Sequence, residues 1–245
     1  HMISVPHPNI LLARQAVRVL PVEVVVRGYM AKSATPTSVY HNYAELGRRE
    51  IYGLRFPDGL RANERFPAGP ILTPTTKAVD GHDKELTDAQ AREAVDGLAG
   101  EGVWGQAKTA ALGLFERASA HCMKQGAILT DTKFEFGMDS DGQLMLIDEA
   151  LTPECSRFWL RDTYAQRLRE GKDPDPPKDV LVEWLEKKGF DAKGNIPEID
   201  QQVIDTLLEA YAIPYRRITK SELPVPISDP KAVAKAALDC LSEFD

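Results

Sequence analysis

The segment that most restricts the fold is Thr130-Asp131-Thr132-Lys133-Phe134-Glu135-Phe136-Gly137, followed after a short gap by Leu146-Ile147-Asp148-Glu149. Successive side chains of a strand point to opposite faces, so Asp131, Lys133 and Glu135 share one face while Phe134 and Phe136 share the other. Between the two segments lies Asp139-Ser140-Asp141-Gly142, whose Asp-Gly pair marks a tight hairpin turn. With Asp141-Gly142 as the turn, Asp148 stands opposite Glu135; with Ser140-Asp141 it stands opposite Lys133. Either register gathers carboxylates and an ammonium on adjacent strands. Burying such a group is costly unless it holds a cation and a polyanion, and Mg²⁺ with a nucleotide phosphate suits it. The same alternation also describes a half-exposed antiparallel strand with a solvated Lys-Glu pair, and the hairpin alone does not choose between them.

A chain of 245 residues can bury a sizeable core, as one large domain or two small ones. Its formal net charge of −7 argues against nucleic-acid binding through bulk electrostatics, while local Lys and Arg clusters leave room for a small anionic substrate. The three cysteines, Cys122, Cys155 and Cys240, have neither metal-site spacing nor the pattern of a disulfide framework, which makes a cytoplasmic location the expectation. No apolar run has the length of a membrane span, and no signal peptide is evident, so neither a membrane nor a nucleic acid is expected as a partner. His1-Met2 reads as a cloning remnant.

Val22-Glu23-Val24-Val25-Val26, bounded by Pro21 and Gly28, reads as a strand. Loops are expected from Lys32 to Thr37 and from Arg65 to about Asp83. Thr87-Asp88 caps an Ala-rich helical region that runs to about Gln125 with a break near Gly97–Gly105. Arg161 to Arg169 reads as a helix, and the Pro-rich stretch from Lys172 to Pro177 as a stiff connector. Further helices are expected over about Asp179–Lys188, from near Pro197 to a stop before Pro214, and from Lys231 to Phe244 after the Asp229-Pro230 cap.

Four other segments carry chemistry. Arg27-Gly28 opens a loop with Ser33, Thr35, Thr37 and Ser38, a set of one guanidinium, hydroxyls and amides suited to an anion. Thr73-Pro74-Thr75-Thr76-Lys77, with Gly81-His82-Asp83, brings a cation and a carboxylate. Thr152 to Trp159 follows the hairpin, so that Arg157 can reach a ligand held there or merely pair with Asp148 or Glu149. Lys178 stands at a helix start.

Together with Pro21-Val22-Glu23, Val26-Arg27-Gly28-Tyr29, Asp131 to Gly137 and Ile147-Asp148-Glu149, these segments resemble the signatures of the phosphoribosylaminoimidazole-succinocarboxamide synthase (SAICAR synthetase) family. The resemblance runs in order from about Val5 to Tyr211. It is nearest to longer members with an element like Phe56-Pro57-Asp58-Gly59-Leu60. It implies an α+β fold, an antiparallel sheet flanked by helices. Residues 21–222 would form the catalytic domain, 1–20 a remnant of an N-terminal lobe or hinge, and 223–245 a C-terminal linker and helix.

The implied enzyme is an ATP-dependent ligase of purine biosynthesis that joins L-aspartate to carboxyaminoimidazole ribotide through an acyl phosphate. ATP, the ribotide carboxylate and L-aspartate are its small-molecule substrates, and Mg²⁺ its cofactor. By the resemblance Glu135 and Asp148 hold the metal and the nucleotide, while Lys77 and Asp83 line the nucleotide or aspartate side. Asp131 and Lys133 face the reacting groups. Arg27, Ser33 and Arg157 bind the ribotide, chiefly its 5′-phosphate, and Ser156 and Lys178 are further substrate-binding residues.

The chain also departs from the pattern. A counterpart of the family's small N-terminal lobe, whose loop covers the ATP phosphates, is not found. Lys32 replaces a Gly, Cys155 a Ser and Glu154 an Asp, and the Arg expected four residues after Lys178 is Val182. These departures keep two alternatives open: a paralogue that ligates a different amine or carboxylate, and a lobe-deleted ribotide-binding protein without catalysis. The C-terminal helix, with Val233, Ala237, Cys240, Leu241 and Phe244 near one face, can dock within the chain or between subunits of a homo-oligomer.

Overall fold

A computed structural model describes residues 1–7, 10–77, 83–174, 181, 184–185, 187–190, 197–223 and 229–242. The part of the expected connector from Asp175 to Pro177, Lys178, His82, Phe244 and half of the helix expected at 179–188 therefore lie outside the described residues.

Strands β1 (Met2–His7) and β2 (Ile10–Ala13) pair antiparallel as a sheet of their own. The main sheet has seven strands. Its members are β3 (Arg18–Val19), β4 (Val22–Arg27), β7 (Ile71–Leu72), β8 (Thr75–Thr76), β9 (Ala127–Met138), β10 (Leu144–Ile147) and β11 (Ser156–Leu160). A small hairpin, β5 (Glu50–Ile51) with β6 (Leu54–Arg55), lies in the long connection between β4 and β7. The helices are α1 (Asp88–Ala99), α2 (Val103–Lys124), α3 (Arg161–Arg169), α4 (Gln201–Thr219) and α5 (Pro230–Leu241). The architecture is the α+β arrangement expected.

β9 is the spine of the molecule. It runs antiparallel to β4 and β3 on one edge and to β11 and β10 on the other. One face of this sheet carries Val22, Val24, Val26, Phe134 and Phe136, which pack with Ala107, Ala111 and Phe115 of α2 in the main core. Each large side chain buried there contributes about 1.5–3 kcal/mol. α1 starts where Thr87 and Gln90 form the reciprocal capping box, and Trp104 Nε1 donates to Asp88 Oδ1 at 2.9 Å to lock α2 against it. A second cluster of Met30, Val39, Tyr43, Ile51, Tyr52, Phe56 and Phe66 gives the β4–β7 connection its own core.

The stretch from Arg65 to about Asp83, expected as a loop, holds the short strands β7 and β8, which pair with β4. Two further expectations need correction. Neither hairpin register holds, because Leu144 pairs with Met138 and Ile147 with Glu135. The loop has three residues, Ser140-Asp141-Gly142, rather than two. Asp139 O accepts from Gly142 N, Gly142 takes φ +72°, and Asp139 Oδ1 accepts from the amides of Asp141 and Gln143. A three-residue loop shifts the pairing by one, so Ile147 faces Glu135 and Asp148 leaves the ladder with φ +59°.

The second correction concerns α4, which runs through Pro214 instead of stopping before it. Its packing on β9, β11 and α2 outweighs the lost amide bond. The Ile218 carbonyl meets His121 Nε2 at 3.1 Å, and Arg217 pairs with Asp162 at 2.9 Å. α5 begins at the expected Asp229 cap and docks within the chain on β1, with Ser4 Oγ 3.6 Å from the buried Cys240 Sγ.

Candidate active site

Strand parity builds the site on the sheet face turned away from α2. β4 buries Val22, Val24 and Val26 in the core and sends Glu23, Val25 and Arg27 to the other side. The β4–β9 register sets Val25 beside Lys133 and Arg27 beside Asp131. On the opposite edge of β9, Arg157 of β11 stands against Asp131. β8 pairs Glu23 with Thr75. Two linked groups result: a row Arg27–Asp131–Arg157 across three strands, and a cluster of Glu23, Lys133, Glu135 and Lys77 further along β9.

In the cluster, Lys133 Nζ donates to Glu23 Oε1 at 2.9 Å and to Glu135 Oε1 at 2.8 Å. The Lys77 ammonium pairs with the other oxygen of Glu135, and Thr75 Oγ1 donates to Glu23 Oε2 at 3.3 Å. Burial pushes the Lys133 ammonium towards neutrality, but its bonds to Glu135 and Glu23 outweigh that and raise its pKa. Burial likewise pushes Glu135 up, and the two lysines more than offset it, so its carboxyl is held below the usual range. Both residues are therefore charged at neutral pH.

In the row, Arg27 Nε donates to Thr73 Oγ1 at 2.9 Å and Arg27 Nη2 to the Thr37 carbonyl at 3.3 Å. Asp131 is buried, and its Oδ2 accepts no hydrogen bond from the described residues, with Arg27 Nη1 3.8 Å away. Arg157 Nη1 donates to the Lys32 carbonyl at 3.2 Å, which ties β11 to the loop that follows β4. That loop carries Ser33, half-buried, with its hydroxyl 3.1 Å from Thr35 Oγ1.

The structure thus brings together Arg27, Lys77, Asp131, Lys133, Glu135 and Arg157. Asp83 is half-buried at the point where the chain rejoins β8, next to the Lys84 carbonyl that accepts from Thr76 N. Asp148 is exposed one residue beyond the Ile147–Glu135 pair. Ser156 differs from the rest. It pairs with Thr132, whose side chain alternates away from Asp131 and Lys133, and the two buried hydroxyls bond each other at 2.7 Å. Glu23, Thr73 and Thr75 were not among the expected site residues. For Glu23 the signal was present, since the parity that joins Asp131 to Lys133 also joins Glu23 to Arg27.

Among the described residues no three His, Cys, Asp or Glu side chains converge as a metal cage. Mg²⁺ does not need one, because it is commonly held by one or two carboxylates with phosphate oxygens and water. Glu135 keeps lone pairs beyond the two bonds it accepts, and Asp148 is exposed one residue past Ile147, the β10 partner of Glu135. The donor set is compatible with the metal.

This site sits on a sequence that matches the family described as SAICAR synthetase over residues 1–198. The chain belongs to the SAICAR synthetase family. A Mesorhizobium japonicum protein, provisionally named phosphoribosylaminoimidazole-succinocarboxamide synthase 2, is 41% identical over 221 residues, covering 89% of this chain and 69% of its own. The solved SAICAR synthase from Saccharomyces cerevisiae, complexed with SAICAR, is 31% identical with a TM-score of 0.69, covering 88% of this chain and 65% of that one. A SAICAR synthetase solved in complex with ADP is 26% identical with a TM-score of 0.61, covering 92% of this chain and 73% of that one. The chain therefore spans about two thirds of the length of these SAICAR synthetases.

Proposed function

We propose that this chain carries the ligase chemistry of its family, joining L-aspartate to carboxyaminoimidazole ribotide with ATP as co-substrate. The observation that carries this reading is the single sheet face on which a guanidinium row adjoins a lysine–carboxylate cluster. In the reaction, an oxygen of the ribotide carboxylate attacks the γ-phosphorus of ATP, and ADP leaves. The aspartate amine then attacks the acyl phosphate carbon, loses a proton to solvent, and expels inorganic phosphate as the amide forms.

Arg27 and Arg157 stand where they can bind the ribotide phosphate, with Ser33 on the adjoining loop. Lys133 and Lys77 present ammonium groups that offset negative charge on the transferring phosphoryl group. Asp131, buried between the guanidinium groups, orients them or the substrate amine. Mg²⁺, when bound at Glu135 and Asp148, would neutralise triphosphate charge. Of the remaining expected site residues, Asp83 and Lys178 keep their proposed contacts with nucleotide and substrate, whereas Ser156, bonded to Thr132 behind the strand, supports β11 and its Arg157 instead of facing the ligand. None of these side chains need act as a covalent nucleophile, since rate comes from positioning and electrostatics.

Isotope transfer tests the proposal. Ribotide labelled with ¹⁸O in its carboxylate should deliver one labelled oxygen to the inorganic phosphate released. Unlabelled phosphate from labelled ribotide would exclude the acyl phosphate route.

A further inference from the structure

Tyr52 occupies a backbone conformation that its side chain does not favour. It and Gly53 form the two-residue loop between β5 and β6, with φ +58° and +73°. Turns of this primed kind take Asn, Asp or Gly first, and a bulky residue there is a backbone outlier. The ring is 3% exposed and packed in the second cluster with Ile51 and Phe56. That packing explains the ring but not the hydroxyl.

The hydroxyl donates to the Thr37 carbonyl at 2.7 Å. The same carbonyl accepts from Arg27 Nη2 at 3.3 Å, while Arg27 Nε donates to Thr73 and Nη1 faces Asp131 Oδ2 at 3.8 Å. Thr37 also belongs to the loop that carries Ser33 and Thr35. One carbonyl therefore joins the strained hairpin, the loop of hydroxyls and the guanidinium. Arg27 is close enough to oppose the rise that burial imposes on the Tyr52 hydroxyl.

We propose that Tyr52 is a positioning residue for the anion site: its hydroxyl fixes the Thr37 carbonyl, which in turn sets the Arg27 guanidinium and the Ser33–Ser38 loop. Tyr52 itself touches no substrate. The inference rests on the reading of Arg27 as a ribotide phosphate ligand. A strained backbone is kept where the surrounding structure over-determines it, and such positions cluster at functional sites.

The test is a double-mutant cycle on the full chain, combining Tyr52→Phe with Arg27→Lys. It is read by calorimetric titration with ribose 5-phosphate and with carboxyaminoimidazole ribotide. Tyr52→Phe keeps the ring and removes one hydrogen bond, which corresponds to a loss of about fivefold in affinity for both ligands. Affinity for ATP should not change. In the Arg27→Lys background the same substitution should have little further effect, because the two act as one unit. Tyr52→Phe that lowers the melting temperature but leaves both affinities intact would make Tyr52 a packing residue only and overturn the inference. Equal losses in the two backgrounds would overturn the route through Arg27. No binding of either ligand by the wild type would instead overturn the reading of the site, and the inference with it.

Discussion

Lys133 is the residue on which the charge balance of the site depends, since among the described residues it alone bonds both Glu23 and Glu135. Replacing it by Ala leaves two largely buried carboxylates side by side and should cost about 1–3 kcal/mol of stability as well as turnover. The pH dependence follows from the directions of the two shifts. Glu135 is held below its ordinary value of 4.5, so its pairing stabilises the fold above that value and the contribution is lost as pH falls through the lowered pKa. Lys133 is raised above its ordinary 10.5, so its contribution is present below that value and lost as pH rises through the higher one. In Lys133→Ala the acid limb of stability should move towards neutral pH, as measured by urea unfolding at a series of pH values. An unmoved limb would mean that the pair does not couple to folding. Asp148→Asn is the cleaner probe of metal binding. Asn tolerates the left-handed backbone at this exposed position, so the fold should persist while Mg²⁺-dependent nucleotide affinity falls. Full retention of that affinity would remove Asp148 from the metal site.

At the scale of elements, local signals succeeded where one strand or cap decides the outcome. The alternation of β4 and β9 is visible in sequence, as are the Thr87 and Asp229 caps, because each depends on neighbours a few residues away. The hairpin register was not legible. Asp-Gly is compatible with a two- or a three-residue loop, and the third residue is committed only when Asp139 Oδ1 takes the amides of Asp141 and Gln143. Pro214 misled for a related reason, since its local cost is offset by contacts of α4 with β9, β11 and α2 that lie far away in sequence. The short strands β1 and β2 carry only a weak pattern, and their pairing was missed. Gly137 offers a test of the spine. A Cβ there would lie 2.8 Å from both the Ala16 Cβ and the Arg18 carbonyl, and the carbonyl cannot rotate away. Gly137→Ala should displace β3 and lower the melting temperature by several degrees. An unchanged melting temperature would show that the β3 edge yields freely.

Over the whole molecule, the parts of the site legible in sequence are those that strand parity places on one face: Asp131, Lys133, Glu135 and, by the same rule, Glu23 and Arg27. Arg157 required the pairing of β11 with β9, and the Thr37 node required the fold of the entire β4–β7 connection. The face so assembled separates two kinds of charge, guanidinium groups at one end and a lysine–carboxylate cluster at the other, which suits the proposed reaction between a phosphorylated ribotide and a nucleotide. The measurement that tests this most directly is ADP release by the 245-residue chain with ATP, Mg²⁺, carboxyaminoimidazole ribotide and L-aspartate, each omitted in turn. Release should need every component and fall at least tenfold without any one of them. Ribotide binding without ADP release, or release that ignores ribotide and aspartate, would contradict it.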